Sequence, residues 1–222
     1  MPPTELQIEL HSGPLPRTLA VSIARLHTEQ ISAGFLTSLG QRFLVHLYDS
    51  IATCDDAVLL TARQGERLAG MICGSTDTRR VYRHFVRRKA VQAGLAALPR
   101  LLTIERMKHV WETWRYPAST PQLDLPASEV LNFCVSSDFQ RRGVGVSLFD
   151  RLTQELHARG LRDMKIVTGE AQESAHRFYE AVGAVLAHRT EVHRGQASRV
   201  YLYPLSHLSA HDAPDQVHTP AA

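Results

Sequence analysis

The stretch Glu129-Val130-Leu131-Asn132-Phe133-Cys134-Val135, continued by Ser136-Ser137-Asp138-Phe139-Gln140-Arg141-Arg142-Gly143-Val144-Gly145, decides how this chain is read. Its first seven residues are apolar and β-branched enough to predict a strand, and Val144, Leu148, Leu152 and Leu156 then recur every four residues, predicting a helix from about Arg142 to Arg159. Gly143 and Gly145 sit at the start of that helix. Without a Cβ, a ligand can approach the backbone closely, and the free N–H groups of a first helical turn, reinforced by the helix dipole, make an anion site. Arg141 and Arg142 add positive charge there, while His157 and Arg159 before Gly160 suit the opposite end of the helix. Taken alone, a G-x-G pair is as well explained by tight helix-on-sheet packing. The spacing fits neither G-x-x-x-x-G-K-[ST] nor G-x-G-x-x-G, because Leu148 stands where the third glycine belongs. The NTPase and dinucleotide readings fall.

Outward from this stretch, the later residues predict a strand Met164 to Thr168, a helix from about Gln172 to Val182, and strands Val185 to His193 and Arg199 to Tyr203 turned at Arg194-Gly195-Gln196. Strand, helix, strand in this order implies a parallel βαβ unit. Before it, Leu6, Ile8 and Leu10 alternate as a short strand does, and two helical stretches follow. The second carries Phe43, Leu44, Leu47, Tyr48 and Ile51 on one face. Ala57 to Ala62 and Arg67 to Gly74, joined at Gln64-Gly65-Glu66, predict an antiparallel hairpin. The expected class is therefore α/β, with a mixed, mostly antiparallel sheet around a central parallel βαβ unit, flanked by helices.

Gln140, Gly143 and Gly145 match the three fixed positions of Q/R-x-x-G-x-G/A, and Ala175-His176-Arg177-Phe178-Tyr179-Glu180-Ala181-Val182-Gly183 follows the pattern A-x-x-F-Y-E-x-x-G. In these two motifs the chain resembles the GNAT superfamily of acyl-CoA-dependent N-acetyltransferases, strongly over Glu129 to Gly183 and in element order from about Leu15 to Leu205. The resemblance implies a GNAT fold over residues 1–205 and acetyl-CoA as acyl donor. It also implies that N–H groups of Arg141, Arg142, Gly143, Val144, Gly145 and Val146 hold the pyrophosphate of CoA, beside Gln140. The pantetheine arm would pair with backbone around Phe133 to Val135 as an added strand, with the Val135 N–H polarising the thioester carbonyl. Gln172 stands where many relatives have Asn, and Ala184 where an aromatic residue often follows the glycine.

Acetylating an amine requires a group that accepts its proton and one that protonates the departing thiolate. Glu129 opens the central strand and shares strand parity with Leu131, Phe133 and Val135, so a partly apolar setting would raise its pKa toward that of a useful base. The segment Glu129 to Gly145 is also similar to the histone-acetyltransferase branch, which places its general-base Glu at this offset; a solvated strand-end residue is the competing account. Tyr179 is read as the general acid toward sulfur, against a core tyrosine with a satisfied hydroxyl. His27, His46 and His84 lie on helical stretches, where a surface or hydrogen-bonded role is the simpler expectation. Cys134 is expected to be a small core residue.

The 222 residues, 44% hydrophobic and 21% charged with a net charge of +3, describe an ordinary globular chain and exclude a disordered or coiled-coil one. Three cysteines without C-x-x-C spacing support neither a disulfide framework nor a zinc site, so no metal is expected. With no leader-like start and no long apolar run, a cytoplasmic protein without a transmembrane segment is expected. Residues 79–115 carry ten Lys or Arg against two acids, a local +8 that leaves −5 for the rest. This segment is expected to be a helical insertion beside the acceptor site that favours an anionic amine, while residues 206–222 are expected to be a disordered tail. The expected activity is direct acetyl transfer to a primary amine. The alternative from another class is an acyl-CoA-binding regulatory module without catalysis; nucleic-acid or membrane-surface binding ranks last, because the basic segment lacks interleaved aromatic residues.

Overall fold

A computed structural model describes residues 5–32, 34–88, 125–193 and 196–205. In chain order the elements are β1 (Leu6–His11), α1 (Arg17–Gln30), the short α2 (Phe35–Ser38), α3 (Gln41–Ala52), β2 (Ala57–Gln64), β3 (Arg67–Ser75) and a helix α4 over 78–88. They continue with β4 (Glu129–Val135), a 3-10 turn at Ser137–Phe139, α5 (Val144–Ala158), β5 (Asp163–Gly169), α6 (Glu173–Ala181), β6 (Val185–His193) and β7 (Gln196–Pro204). The seven strands form one sheet in the order β1-β2-β3-β4-β5-β7-β6, in which only β4 and β5 run parallel. The expected mixed sheet is thus the observed one. Of the basic segment, residues 79–88 lie on α4; residues 89–115, the tail from 206 and the turn residues Arg194 and Gly195 lie outside the described residues.

Each face of the sheet carries its own core. On one, α5 and α6 bury Leu148, Phe149, Leu152, Leu156 and Tyr179 against Val58, Leu60, Ile72, Val130 and Ile166. On the other, α1 and α3 bury Ile23, Leu26, Leu44, Tyr48 and Ile51 against Leu59, Met71, Cys73 and Cys134. The predicted face of α3 holds, with Leu44, Tyr48 and Ile51 fully buried and Phe43 and Leu47 packed at the rim. A Cβ at Gly70 or Gly74 would stand 3.0 Å from Leu148 or Leu152, so these two β3 glycines let α5 lie close on the sheet.

One local feature changes how β4 is read. Cys73 pairs with Asn132, but Gly74 pairs with Val130, so Leu131 is an extra residue bulged out of the β3–β4 ladder. The bulge flips side-chain parity within the strand: Val130, Phe133 and Val135 contact the α5/α6 core, whereas Leu131 and Cys134 contact the α1/α3 core. The expected common parity of Glu129, Leu131, Phe133 and Val135 is therefore corrected. Uniform alternation holds only for an unbroken ladder.

Candidate active site

β4 and β5 touch over very little of their length. Only Glu129 with Lys165 and Val130 with Ile166 are paired, after which the two strands part and leave a V between them. Which backbone groups face the V follows from alternation. Ser136 N–H bonds to Ala69 C=O on the β3 side, so Val135, and Phe133 two residues earlier, direct their N–H and C=O away from β3 into the V. The Val135 carbonyl indeed accepts a hydrogen bond from the Gln140 side chain at 3.1 Å rather than from β3. Half a strand edge is thus left open to an extended partner.

At the wide end of the V lies the glycine turn. Arg141 and Gly143 both have positive φ, 58° and 81°, and Gly143 caps α5 in the left-handed conformation. This is why the helix begins at Val144 rather than near Arg142, as expected from the sequence. A non-glycine residue held there is strained by roughly 1–2 kcal/mol, a cost accepted at Arg141. No side chain caps the helix, and its first internal bond runs from Ser147 N–H to Gly143 C=O at 3.0 Å, so the N–H groups of Val144, Gly145 and Val146 point out of the helix end. A Cβ on Gly143 would meet nothing within 4 Å, whereas one on Gly145 would touch Phe133 and Phe178, each at 3.4 Å. Gly143 therefore serves backbone conformation and open space, and Gly145 packs on the aromatic floor made by Phe133 and Phe178, whose ring centroids are 5.1 Å apart.

The two arginines of the turn are exposed. Arg142 lies over the Phe139 ring at 5.8 Å, as does Arg67 at 4.9 Å, which is itself paired with Asp138. Gln140 Nε2 also donates to Gln30 Oε1 of α1 at 3.1 Å, so this side chain braces the turn against both β4 and α1. Gln172 caps neither itself nor α6 by its side chain; its Oε1 accepts from Thr168 Oγ1 at 2.5 Å, leaving the amide NH2 as its free function.

Glu129 stands at the narrow end of the V and is 8% exposed. Thr78, at the start of α4, donates its hydroxyl to Oε2 at 2.9 Å, and Lys165 of β5 places Nζ 3.4 Å from the same oxygen. Burial pushes this carboxyl above its ordinary pKa, opposed by the Lys165 charge and then by the two hydrogen bonds. Glu129 is therefore no solvated strand-end residue. Tyr179 is buried among Phe149, Phe178 and Tyr201, and burial pushes its hydroxyl pKa up. Its hydroxyl has no hydrogen-bond partner among the described residues, unlike the satisfied hydroxyl of an ordinary core tyrosine. Glu129 and the glycine turn thus lie at the two ends of the V, and Tyr179 lies in the core beside Phe178, which packs under the glycine turn.

Residues 106–184 match the model of the Acetyltransferase (GNAT) family, a span that contains both sequence motifs and the whole V. The chain carries a GNAT acetyltransferase domain. Solved structures agree on the fold: a protein of Desulfovibrio desulfuricans assigned to the GNAT family is 14% identical with TM-score 0.57, covering 90% of this chain and 99% of that one. Ard1 from Thermoplasma volcanium is 15% identical with TM-score 0.53, covering 90% and 97%. An acetyltransferase from Thermus thermophilus is 14% identical with TM-score 0.50, covering 91% and 99%. At such identities the likeness is one of fold. Among curated proteins, none matches the sequence.

The surroundings of two further residues do not follow from the sequence. Lys165, which the sequence does not single out, has its side chain 13% exposed beside Glu129. His27 is hydrogen-bonded, as expected, with Nδ1 2.5 Å from Tyr48 Oη, but it is 1% exposed and its Nε2 is buried with no partner among the described residues. His84 has a simpler place, 3.3 Å from Thr53 Oγ1. Cys134 is a buried core residue, as expected, and burial pushes its thiol pKa up. Among the described residues, no group of three or more His, Cys, Asp or Glu could hold a metal ion, and no helix is long and apolar enough to cross a membrane.

Proposed function

We propose that this GNAT domain transfers an acetyl group from acetyl-CoA directly to a primary amine. The observation that carries this is the V between β4 and β5, which opens an unpaired edge at Phe133 and Val135 and ends on the uncapped, glycine-shaped N-terminus of α5. The fit to CoA is specific in kind. The outward N–H groups of Val144, Gly145 and Val146, with Arg141 and Arg142 beside them, suit a pyrophosphate; the inward N–H and C=O groups of Phe133 and the N–H of Val135, whose C=O is already bonded to Gln140, suit the amides of a pantetheine arm. Acetyl-CoA supplies the activated acyl group as a thioester. Glu129 takes a proton from the ammonium form of the acceptor, the freed amine nitrogen attacks the thioester carbonyl carbon, and the Val135 N–H stabilises the oxygen that gains charge. As the adduct collapses, the carbonyl re-forms, the carbon–sulfur bond breaks and Tyr179 gives its hydroxyl proton to the leaving thiolate. The extra proton that the attacking nitrogen still carries is released to replace that of Tyr179, leaving a neutral amide and CoA thiol.

For the acceptor, the described part of the basic segment supports an anionic amine. α4 begins at Thr78, in contact with Glu129, and continues with Arg83, Arg87 and Arg88 exposed. Two measurements test the proposal. CoA at a hundred times its Kd should stabilise the protein by about 2.7 kcal/mol through mass action. A panel of neutral and anionic primary amines should show thiol release from acetyl-CoA. A flat thermal response to millimolar CoA refutes the proposal, and CoA binding without thiol release across the panel restricts the domain to acyl-CoA binding.

A further inference from the structure

Two donors converge on one oxygen of Glu129. The Thr78 hydroxyl donates to Oε2 at 2.9 Å and Lys165 Nζ lies 3.4 Å from it, while no donor among the described residues reaches Oε1. A carboxylate in a purely structural ion pair gains most by using both oxygens; this one is held by a single oxygen and presents the other. The holding groups are themselves held. Lys165 Nζ donates to Pro126 C=O at 2.6 Å, and Ser75 Oγ bonds to Thr78 Oγ1 at 2.9 Å, so that Ser75 donates to Thr78 and Thr78 to Glu129. The backbone fixes the pair too, because Glu129 and Lys165 are register partners, one step from the point where β4 and β5 part. Lys165 N–H donates to Ser128 C=O at 3.0 Å, and Ser128 Oγ donates to Asp163 C=O at 2.6 Å, bolting the narrow end of the V.

We propose that Lys165 is the positioning residue of this site, pinning Oε2 of Glu129 so that Oε1 faces the acceptor amine. The inference rests on the acetyl-transfer reading and gives a role to a residue that touches neither acetyl group nor amine. The surroundings of Glu129 show why a cation is required. Among the described residues, Lys165 of β5 is the one charged side chain acting on the carboxyl, and α4 and β3 bring the hydroxyls of Thr78 and Ser75. With both side chains of the pair about nine-tenths buried, hydroxyls alone would leave a carboxyl that prefers to keep its proton and cannot accept another.

The test uses the full chain as wild type, Lys165→Met, Lys165→Arg and Thr78→Val. Glutamate carboxyl carbons are labelled with carbon-13, and the Glu129 resonance is identified by its loss in Glu129→Gln. Its titration midpoint is read by NMR, which requires no turnover, and the pH profile of kcat/KM is read by thiol release. An opposite charge at this distance moves a carboxyl by about 1–3 pH units. Lys165→Met should raise the midpoint by that amount and move the acidic limb of kcat/KM with it, recovering at high pH. Lys165→Arg should restore both, and Thr78→Val, a smaller change less exposed to misfolding, should raise both in the same direction. An unmoved midpoint in Lys165→Met overturns the proposal. So does a midpoint that moves while the acidic limb of an active enzyme stays. If wild type releases no thiol with any amine, the acetyl-transfer reading fails, and with it the role of Glu129 as base; the NMR midpoints alone then report whether the ion pair exists.

Discussion

Acid should destabilise this protein through His27, which is buried with one ring nitrogen unpartnered among the described residues. The ring is 1% exposed between α1 and α3, and burial lowers its pKa from 6.5 to about 4. Tyr48, whose own pKa is pushed well up by burial, keeps its proton and donates it to Nδ1 at 2.5 Å, which leaves Nε2–H as the single unpartnered group. The opposite tautomer would leave two. In the unfolded chain His27 binds a proton near pH 6.5, whereas the folded chain resists one until about pH 4, so between these values the unfolded state carries more protons and stability is lost as pH falls. At 1.36 kcal/mol per pH unit the loss is about 2 kcal/mol by pH 5 and levels off near 3 kcal/mol below pH 4. His11 and His84, also lowered mainly by burial, act in the same direction, while Glu129, raised by burial, acts in the opposite one. The comparison must therefore be with His27→Gln, which removes the titration and keeps an acceptor for Tyr48. In urea, with m about 2 kcal/mol per M, wild type should lose about 1 M more of midpoint than the variant between pH 7.5 and pH 5. Equal losses in the two proteins would refute the reasoning.

Gly143→Asn should cost well under 1 kcal/mol, because Asn tolerates positive φ, and Gly143→Val should cost about 1–2 kcal/mol or more without ligand; equal urea midpoints would mean that the left-handed cap is not required. Tyr179→Phe should slow thiol release while changing unfolding free energy by less than about 0.5 kcal/mol, since no group among the described residues partners the hydroxyl; a loss above 1 kcal/mol would mark it as a structural hydrogen bond. Charge reversal at Arg87 and Arg88 should raise KM for an anionic amine and flatten its dependence on ionic strength, leaving a neutral amine unaffected. Unchanged KM and salt dependence would remove the basic helix from acceptor recognition.

The sequence made the order of elements legible because periodicity is a local property. Leu148, Leu152 and Leu156 recur every four residues and are all buried on α5, and the hairpin β2–β3 turns where Gly65 allows it. The edges were less legible. β7 starts at Gln196, three residues before its expected start, because pairing with β6 extends it whatever its own composition. Within the site, the glycine turn was legible because positive φ at Gly143 leaves a compositional trace. Lys165 and His27 left none. Their importance comes from partners far away in sequence, Glu129 and Tyr48, and no spacing rule links residues that meet only through a sheet register or a helix crossing.

The bulge at Leu131 is the deepest case. Nothing in Val130-Leu131-Asn132-Phe133 announces an extra residue, and its one trace lies on the neighbouring strand, where Gly74 faces Val130. Its effect is nevertheless what makes the strand usable. Lys165 N–H bonds to Ser128 C=O, so Ser128 and, by alternation, Val130 direct their backbone groups toward β5. Without an extra residue the same alternation would continue through Asn132 and Cys134, and Phe133 and Val135 would spend their N–H and C=O groups on β3. With Leu131 inserted, Phe133 and Val135 turn toward the V, and their side chains turn to the α5 face, where Phe133 meets Gly145 and Phe178. One inserted residue thus aims the open backbone edge and builds the floor beneath the glycine turn. Glu129, upstream of the insertion, keeps its pairing with Ser75 and Lys165. The bulge divides β4 into a half that holds the base and a half that is free to hold the acyl donor.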